Sequence, residues 1–221
     1  QSGKMNLSRR IILIYAILIT TIGVSVFLVG KTPNNSVVGQ ATSKAITEAP
    51  VTVSTSSGAF TAKPKVRTIV AFGDSITAGY GITIPEAYPQ LLENALTRNG
   101  KNIRVVNSGV SGETTAGGLR RASFVAAQKP DFVIIALGGN DVLRGIDPAA
   151  TKANLAGIIT IFKKEDIVVI LAGMKSPTNL GPIYVEAFDG LYPELAKEYS
   201  LSLIPFLLEG VALDATLNRA G

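Results

Sequence analysis

Residues 69–72, 132–137 and 167–171 are apolar without interruption. A strand with one wet face alternates apolar and polar positions, so unbroken short runs read as strands buried on both faces. They predict a parallel sheet sandwiched between helices, with strands over 67–73, 103–108, 131–138, 167–174 and 201–206. Between them the pattern predicts helices over 85–99, 114–128, 148–164 and 183–199. The punctuation agrees. Pro85 stands where the first helix would begin, Gly100 follows Asn99 as a stop, and Asp147-Pro148 and Gly181-Pro182 open the third and fourth helices. The expected class is α/β, three-layered, with five parallel strands and no internal repeat.

The amino-terminal third has a different texture. Residues 11–30 carry no charge and are apolar or small throughout. As a helix they would span about 30 Å, the thickness of a hydrocarbon core. Arg9 and Arg10 precede them, which favours a cytoplasmic amino terminus over residues 1–10. The expectation is a transmembrane anchor that places the remainder outside the cytoplasm; the alternative is a cleaved signal segment and secretion. Residues 31–66, rich in Ser, Thr, Pro, Val and Ala, read as a flexible linker, and the strand-like alternation over 51–55 reads as β-propensity within it. The globular domain is then 67–221.

Charge follows this division. The chain of 221 residues has a formal net charge of +5. Residues 1–67 hold eight Lys/Arg against one acid, Glu48, whereas 68–221 hold thirteen against fifteen. The basic character is therefore membrane-flanking, and no nucleic-acid partner is expected. The absence of Cys removes disulfides and thiolate chemistry. The absence of His removes the usual general base and the commonest transition-metal ligand. No metal or organic cofactor is expected.

Each of the first three predicted strands ends in a Gly-rich loop: Gly73-Asp74-Ser75, then Asn107 through Thr114, then Gly138-Gly139-Asn140-Asp141. Ligands of open α/β sheets bind beyond the carboxyl ends of the strands, so these loops should converge. A hydroxyl, a Gly whose N–H can approach a ligand, and an Asn amide suit acyl transfer, in which the hydroxyl attacks and the donors hold the oxyanion.

These blocks resemble those of the SGNH, or GDSL-type, hydrolases, over about 67–221. Gly73-Asp74-Ser75-Ile76 resembles the nucleophile block, Asn107 through Gly112 the second, and Gly138 through Asp141 the third. The stretches from Leu137 to Gly145, from Tyr192 to Lys197 and from Pro205 to Gly210 are similar to the bacterial thioesterase I, lysophospholipase and arylesterase branch. The resemblance implies Ser75 as nucleophile, with Gly112 and Asn140 joining the Ser75 N–H in an oxyanion hole. Alternatively, Gly112 serves a tight turn and Asn140 caps a helix. Asp74 and Asp141 read as loop-organising acceptors, Glu113 as a charge at a helix N-terminus, and Arg120 and Arg121 as a solvated helix face. The resemblance also implies a flavodoxin-like strand order 2-1-3-4-5, and carboxylic esters, thioesters or lipids as substrates. The loop 174–181 is either a wall of the acyl pocket or an ordinary connection. A carbohydrate O-deacetylase and a non-catalytic binding module are the alternative functions.

One block of the pattern is missing. The family's last block supplies Asp-x-x-His and a final helix; here Asp214 is followed three residues later by Leu217. Asp214 is assigned no catalytic role. Two expectations follow: little or no hydrolysis by these residues alone, from a shortened enzyme or a pseudoenzyme, and bare apolar strand surface beside the first helix, with poor solubility.

Overall fold

The computed structural model describes residues 66–212. The candidate anchor over 11–30, the linker up to residue 65 and Asp214 lie outside them. Among the described residues, no helix is long and apolar enough to cross a membrane.

The strands are β1 (Arg67–Gly73), β2 (Ile103–Gly109), β3 (Phe132–Ala136), β4 (Val168–Ala172) and β5 (Ser202–Ile204). They form one parallel sheet in the order β2-β1-β3-β4-β5, as expected. The helices are α1 (Ser75–Ala78), α2 (Tyr88–Arg98), α3 (Thr115–Ala126), α4 (Gly139–Leu143), α5 (Pro148–Lys164) and α6 (Pro182–Glu198). Helix α5 has the expected bounds because both its ends are marked in sequence. Asp147 caps it, accepting from the Ala149 N–H at 2.8 Å, Pro148 occupies its first position, and Lys163 and Lys164 lie in its last turn. The helix expected from residue 85 begins at Tyr88 instead. Pro85 belongs to a separate 3-10 turn, Ile84–Glu86, and Ala87 is extended (φ −66°, ψ 141°) between the two.

Because β1 has β2 on one side and β3 on the other, right-handed crossovers place α2 on one face and α3, α5 and α6 on the other. The ring of Phe72 in β1 fixes the second face. It meets Phe162 of α5 edge-on, with centroids 5.5 Å apart, and lies under the guanidinium of Arg121 from α3. On the α2 face, register aligns Ala71, Ile134 and Ile170 across β1, β3 and β4. The expected bare surface is not found there: Phe132, Ile134 and Ile170 are at most 3% exposed. Both faces of the central strands are therefore dry, as their unbroken apolar runs require. Strand β2 lies at the sheet edge, and Glu93 of α2 covers part of it by accepting the Val105 N–H at 2.6 Å.

Candidate active site

β1 is the middle of three adjacent strands, so the loop leaving it lies between those leaving β2 and β3. Gly73 is needed at its end. A Cβ there would stand 2.1 Å from Thr77 Oγ1 and 2.6 Å from the Ala136 carbonyl oxygen. The chain then turns into α1, four residues too short to show any helical period in sequence. Asp74 caps α1, its Oδ1 accepting from the Ile76 N–H at 3.0 Å. Ser75 is thus the first residue of a helix and half-buried, and its backbone N–H and that of Gly112 donate to no acceptor among the described residues. A first-turn N–H has no intrahelical acceptor and is free for a ligand.

Three sets of bonds hold the loops together. The first joins the loops after β1 and β3: Asn140 Nδ2 donates to Asp74 Oδ2 at 3.3 Å. The second joins the loops after β2 and β3. Asp141 accepts from the Thr115 N–H at 2.8 Å and from the Thr115 hydroxyl, with Thr151 Oγ1 a further donor at 3.3 Å. At the surface Arg144 Nη2 donates to the Gly112 carbonyl at 2.9 Å. The third joins the loops after β1 and β2. The Val110 N–H donates to the Gly73 carbonyl at 2.9 Å, and Arg121 bridges Gly73 to Ser108 and Glu113. Ser75, Gly112 and Asn140 therefore belong to loops that are pairwise bonded.

The expectation that Asp74 and Asp141 organise loops is met; both are buried and act as acceptors. Asn140 does not cap α4: Gly138 does, at φ 119°, and the Asn140 amide donates rather than accepts. Gly112 has φ 78° within a turn closed by the Glu113 N–H donating to the Val110 carbonyl at 3.1 Å, so the tight-turn reading holds and leaves the Gly112 N–H free. Gly109 is committed to packing, since a Cβ there would stand 2.2 Å from the Ala78 N. The loop after β4 is tied to α6 by the Ser176 N–H donating to Asp189 Oδ1 at 2.8 Å, with Leu180 on a 3-10 turn and exposed.

One expectation is corrected. Arg120 is solvated, but Arg121 is not. Its Nε donates to both Glu113 carboxylate oxygens, at 2.8 and 2.9 Å, its Nη1 to Ser108 Oγ at 2.8 Å, and its Nη2 to the Gly73 carbonyl at 3.3 Å. Glu113 directly precedes Thr114, the N-cap of α3, as expected of a charge at a helix N-terminus, and it is also that guanidinium's partner. Two adjacent arginines look alike in sequence, and only the position of Phe72 beneath one of them separates their roles.

Burial pushes the Asp74 carboxyl above the usual carboxylate range, against the lowering effect of its bonds from the Ile76 N–H and Asn140. A raised native pKa means that the folded state binds the proton more tightly. Asp74 therefore contributes stability that is complete below its unfolded pKa and is lost as pH rises through the native value. Replacing Asp74 by Asn keeps the cap and removes the charge. Denaturant titrations between about pH 4 and 8 should show a flatter decline in stability for Asp74→Asn than for the parent. An unchanged or steeper decline would contradict the role of burial.

Among the described residues, no group of His, Cys, Asp or Glu could hold a metal ion. A hydroxyl on one of three mutually bonded loops, with N–H groups on the others, is an arrangement that suits acyl transfer.

Residues 71–221 match the model of the GDSL-like lipase/acylhydrolase family. Esterase TesA of Pseudomonas aeruginosa is 41% identical over 152 residues, covering 68% of this chain and 76% of that protein. The thioesterase 1/protease 1/lysophospholipase L1 of Escherichia coli is 38% identical over 147 residues, covering 66% and 69%. The crystal structure of AlinE4, an SGNH-hydrolase family esterase, superposes with a TM-score of 0.70 at 47% identity, covering 72% of this chain and 86% of that one. With its three Gly-rich loops gathered at one end of a 2-1-3-4-5 sheet, this chain belongs to the GDSL-like lipase/acylhydrolase family and has the SGNH hydrolase fold.

Proposed function

We propose that the chain acts on carboxylic esters and thioesters through attack by the Ser75 hydroxyl oxygen. The observation that carries this reading is the free N–H of Ser75 and of Gly112 on loops bonded to the one whose Asn140 amide is oriented by Asp74. Attack forms the Oγ–C bond and places negative charge on the carbonyl oxygen, which those donors receive. Collapse breaks the bond to the leaving oxygen or sulfur, which departs with a proton; water then releases the acid from the acyl-serine. Donors fixed before the reaction need no reorganisation as the charge develops, and each such donor is worth about 10²–10³ in kcat. The relatives named as esterase and as thioesterase and lysophospholipase support acyl esters, including lipid esters, as substrates.

The attacking hydroxyl must lose its proton, and none of the 221 residues is a His. Free imidazole offers a substitute base. Added to this chain, it should raise hydrolysis of p-nitrophenyl butyrate above the imidazole background, and Ser75→Ala should abolish that protein-dependent increment. An increment that survives Ser75→Ala would remove Ser75 from the reaction.

A further inference from the structure

Arg121 is the best-connected side chain near the nucleophile. It is one helix away from the reacting atoms, yet each of its partners lies on a segment that carries one of them. The Gly73 carbonyl that it meets at 3.3 Å is two residues before Ser75. Ser108, at 2.8 Å, is the penultimate residue of β2. Glu113, bound in fork geometry by Nε and Nη2, directly follows Gly112. The side chain of Glu113 is only 8% exposed and that of Arg121 21%, so the pair is shielded from solvent and screened little by salt. Arg121 Cζ lies 3.9 Å from the Phe72 ring centroid, so the guanidinium rests on that ring.

The fork makes the contact specific. A planar guanidinium presents five donors in fixed directions, enough for two carboxylate oxygens, a hydroxyl and a carbonyl at once. A lysine ammonium in its place carries equal charge and cannot span those acceptors. Every acceptor is at the carboxyl end of β1 or β2 or in the loop after β2, whereas the body of α3 is already held by apolar packing: Ala122, Val125 and Ala126 are buried. The polar end of Arg121 is thus not needed to fix the helix, and what it joins is the Ser75 loop to the Gly112 loop. Resting on the proposed roles of Ser75 and Gly112, we infer that Arg121 is a positioning residue that sets the distance between nucleophile and oxyanion donor.

The test uses Arg121→Lys in the full 221-residue chain, with Glu113→Gln as a second variant that removes the same link from its other end. Two measurements separate this role from general stabilisation. In amide hydrogen exchange, residues 74–79 and 109–114 should exchange at least about tenfold faster, while β3 and β4 keep parent rates. In Ser75-dependent, imidazole-supported hydrolysis, kcat should fall by about 10- to 100-fold with KM nearly unchanged, the pattern of a lost transition-state interaction. Exchange that rises everywhere together, or nowhere, overturns the inference, and so does local exchange with kcat intact. If the parent shows no Ser75-dependent turnover, the catalytic reading itself fails, and the exchange pattern still decides whether Arg121 joins the two loops.

Discussion

A polypeptide of these 221 residues should hydrolyse p-nitrophenyl butyrate at least about 10⁴-fold more slowly than the same chain continued with an Asp-x-x-His segment. Serine at neutral pH is a weak nucleophile, and the base that activates it is part of the machinery, not an accessory. What remains without the base is the contribution of substrate binding and of the donors proposed on Ser75, Gly112 and Asn140. Imidazole from solution should recover only part of the difference, because a tethered base acts at an effective concentration of about 10⁵ M or more in favourable cases. Rates for the two chains within tenfold of each other would show that a group in these residues already takes the proton.

The second large effect separates two glycines three residues apart, Gly109 at the end of β2 and Gly112 in the turn that follows. Gly109→Ala should destabilise the fold by about 3 kcal/mol, at the upper end for overpacking. Its Cβ would stand 2.2 Å from Ala78 N and 2.7 Å from Ala78 Cα, and backbone atoms cannot rotate aside. The displaced element is α1, which begins with Ser75, so activity should fall with stability. Gly112→Ala should cost only about 1 kcal/mol, the price of a left-handed conformation at φ 78°. Its nearest contact would be Arg144 Nη2 at 3.8 Å, the far end of a flexible side chain. Because alanine keeps the backbone N–H, Gly112→Ala should retain most Ser75-dependent turnover. Equal losses of midpoint denaturant concentration in the two variants would show that the clash at Gly109 is relieved by a small shift.

The strands and long helices were legible because each is written redundantly: an apolar run or periodicity in the middle, and Pro, Gly or Asp at the ends. Residues 69–72 of β1 and the whole of β3 and β4 are unbroken apolar runs, and α5 is bracketed by Asp147-Pro148 and its terminal lysines. That the loops carrying Ser75, Gly112 and Asn140 come together was legible for a different reason, the order of three blocks after three strands. The short helices α1 and α4 were not, since four or five residues cannot display a 3.6-residue period. Nor could the tasks of Arg121 and Glu113 be read, because they depend on which side of α3 faces Phe72. The expected bare strand surface was not found, because burial of Ile134 and Ile170 is a property of the whole packed molecule, not of any one segment.

The strand order has a consequence for how the chain acquires its shape. β1 is first in sequence but central in space, and its partners start at Ile103 and Phe132. Neither pairing can form as a local hairpin; each waits for a crossover, and the second waits for both. The bond from Asn140 to Asp74 closes a span of 66 residues, so the donor set exists only after three strands have docked. During synthesis the segment carrying Ser75 emerges early and remains without its neighbours until the third strand has been made. Its apolar run, 69–72, is then an unpaired edge on both sides, the stretch where intermolecular pairing would begin if the later strands were slow to arrive.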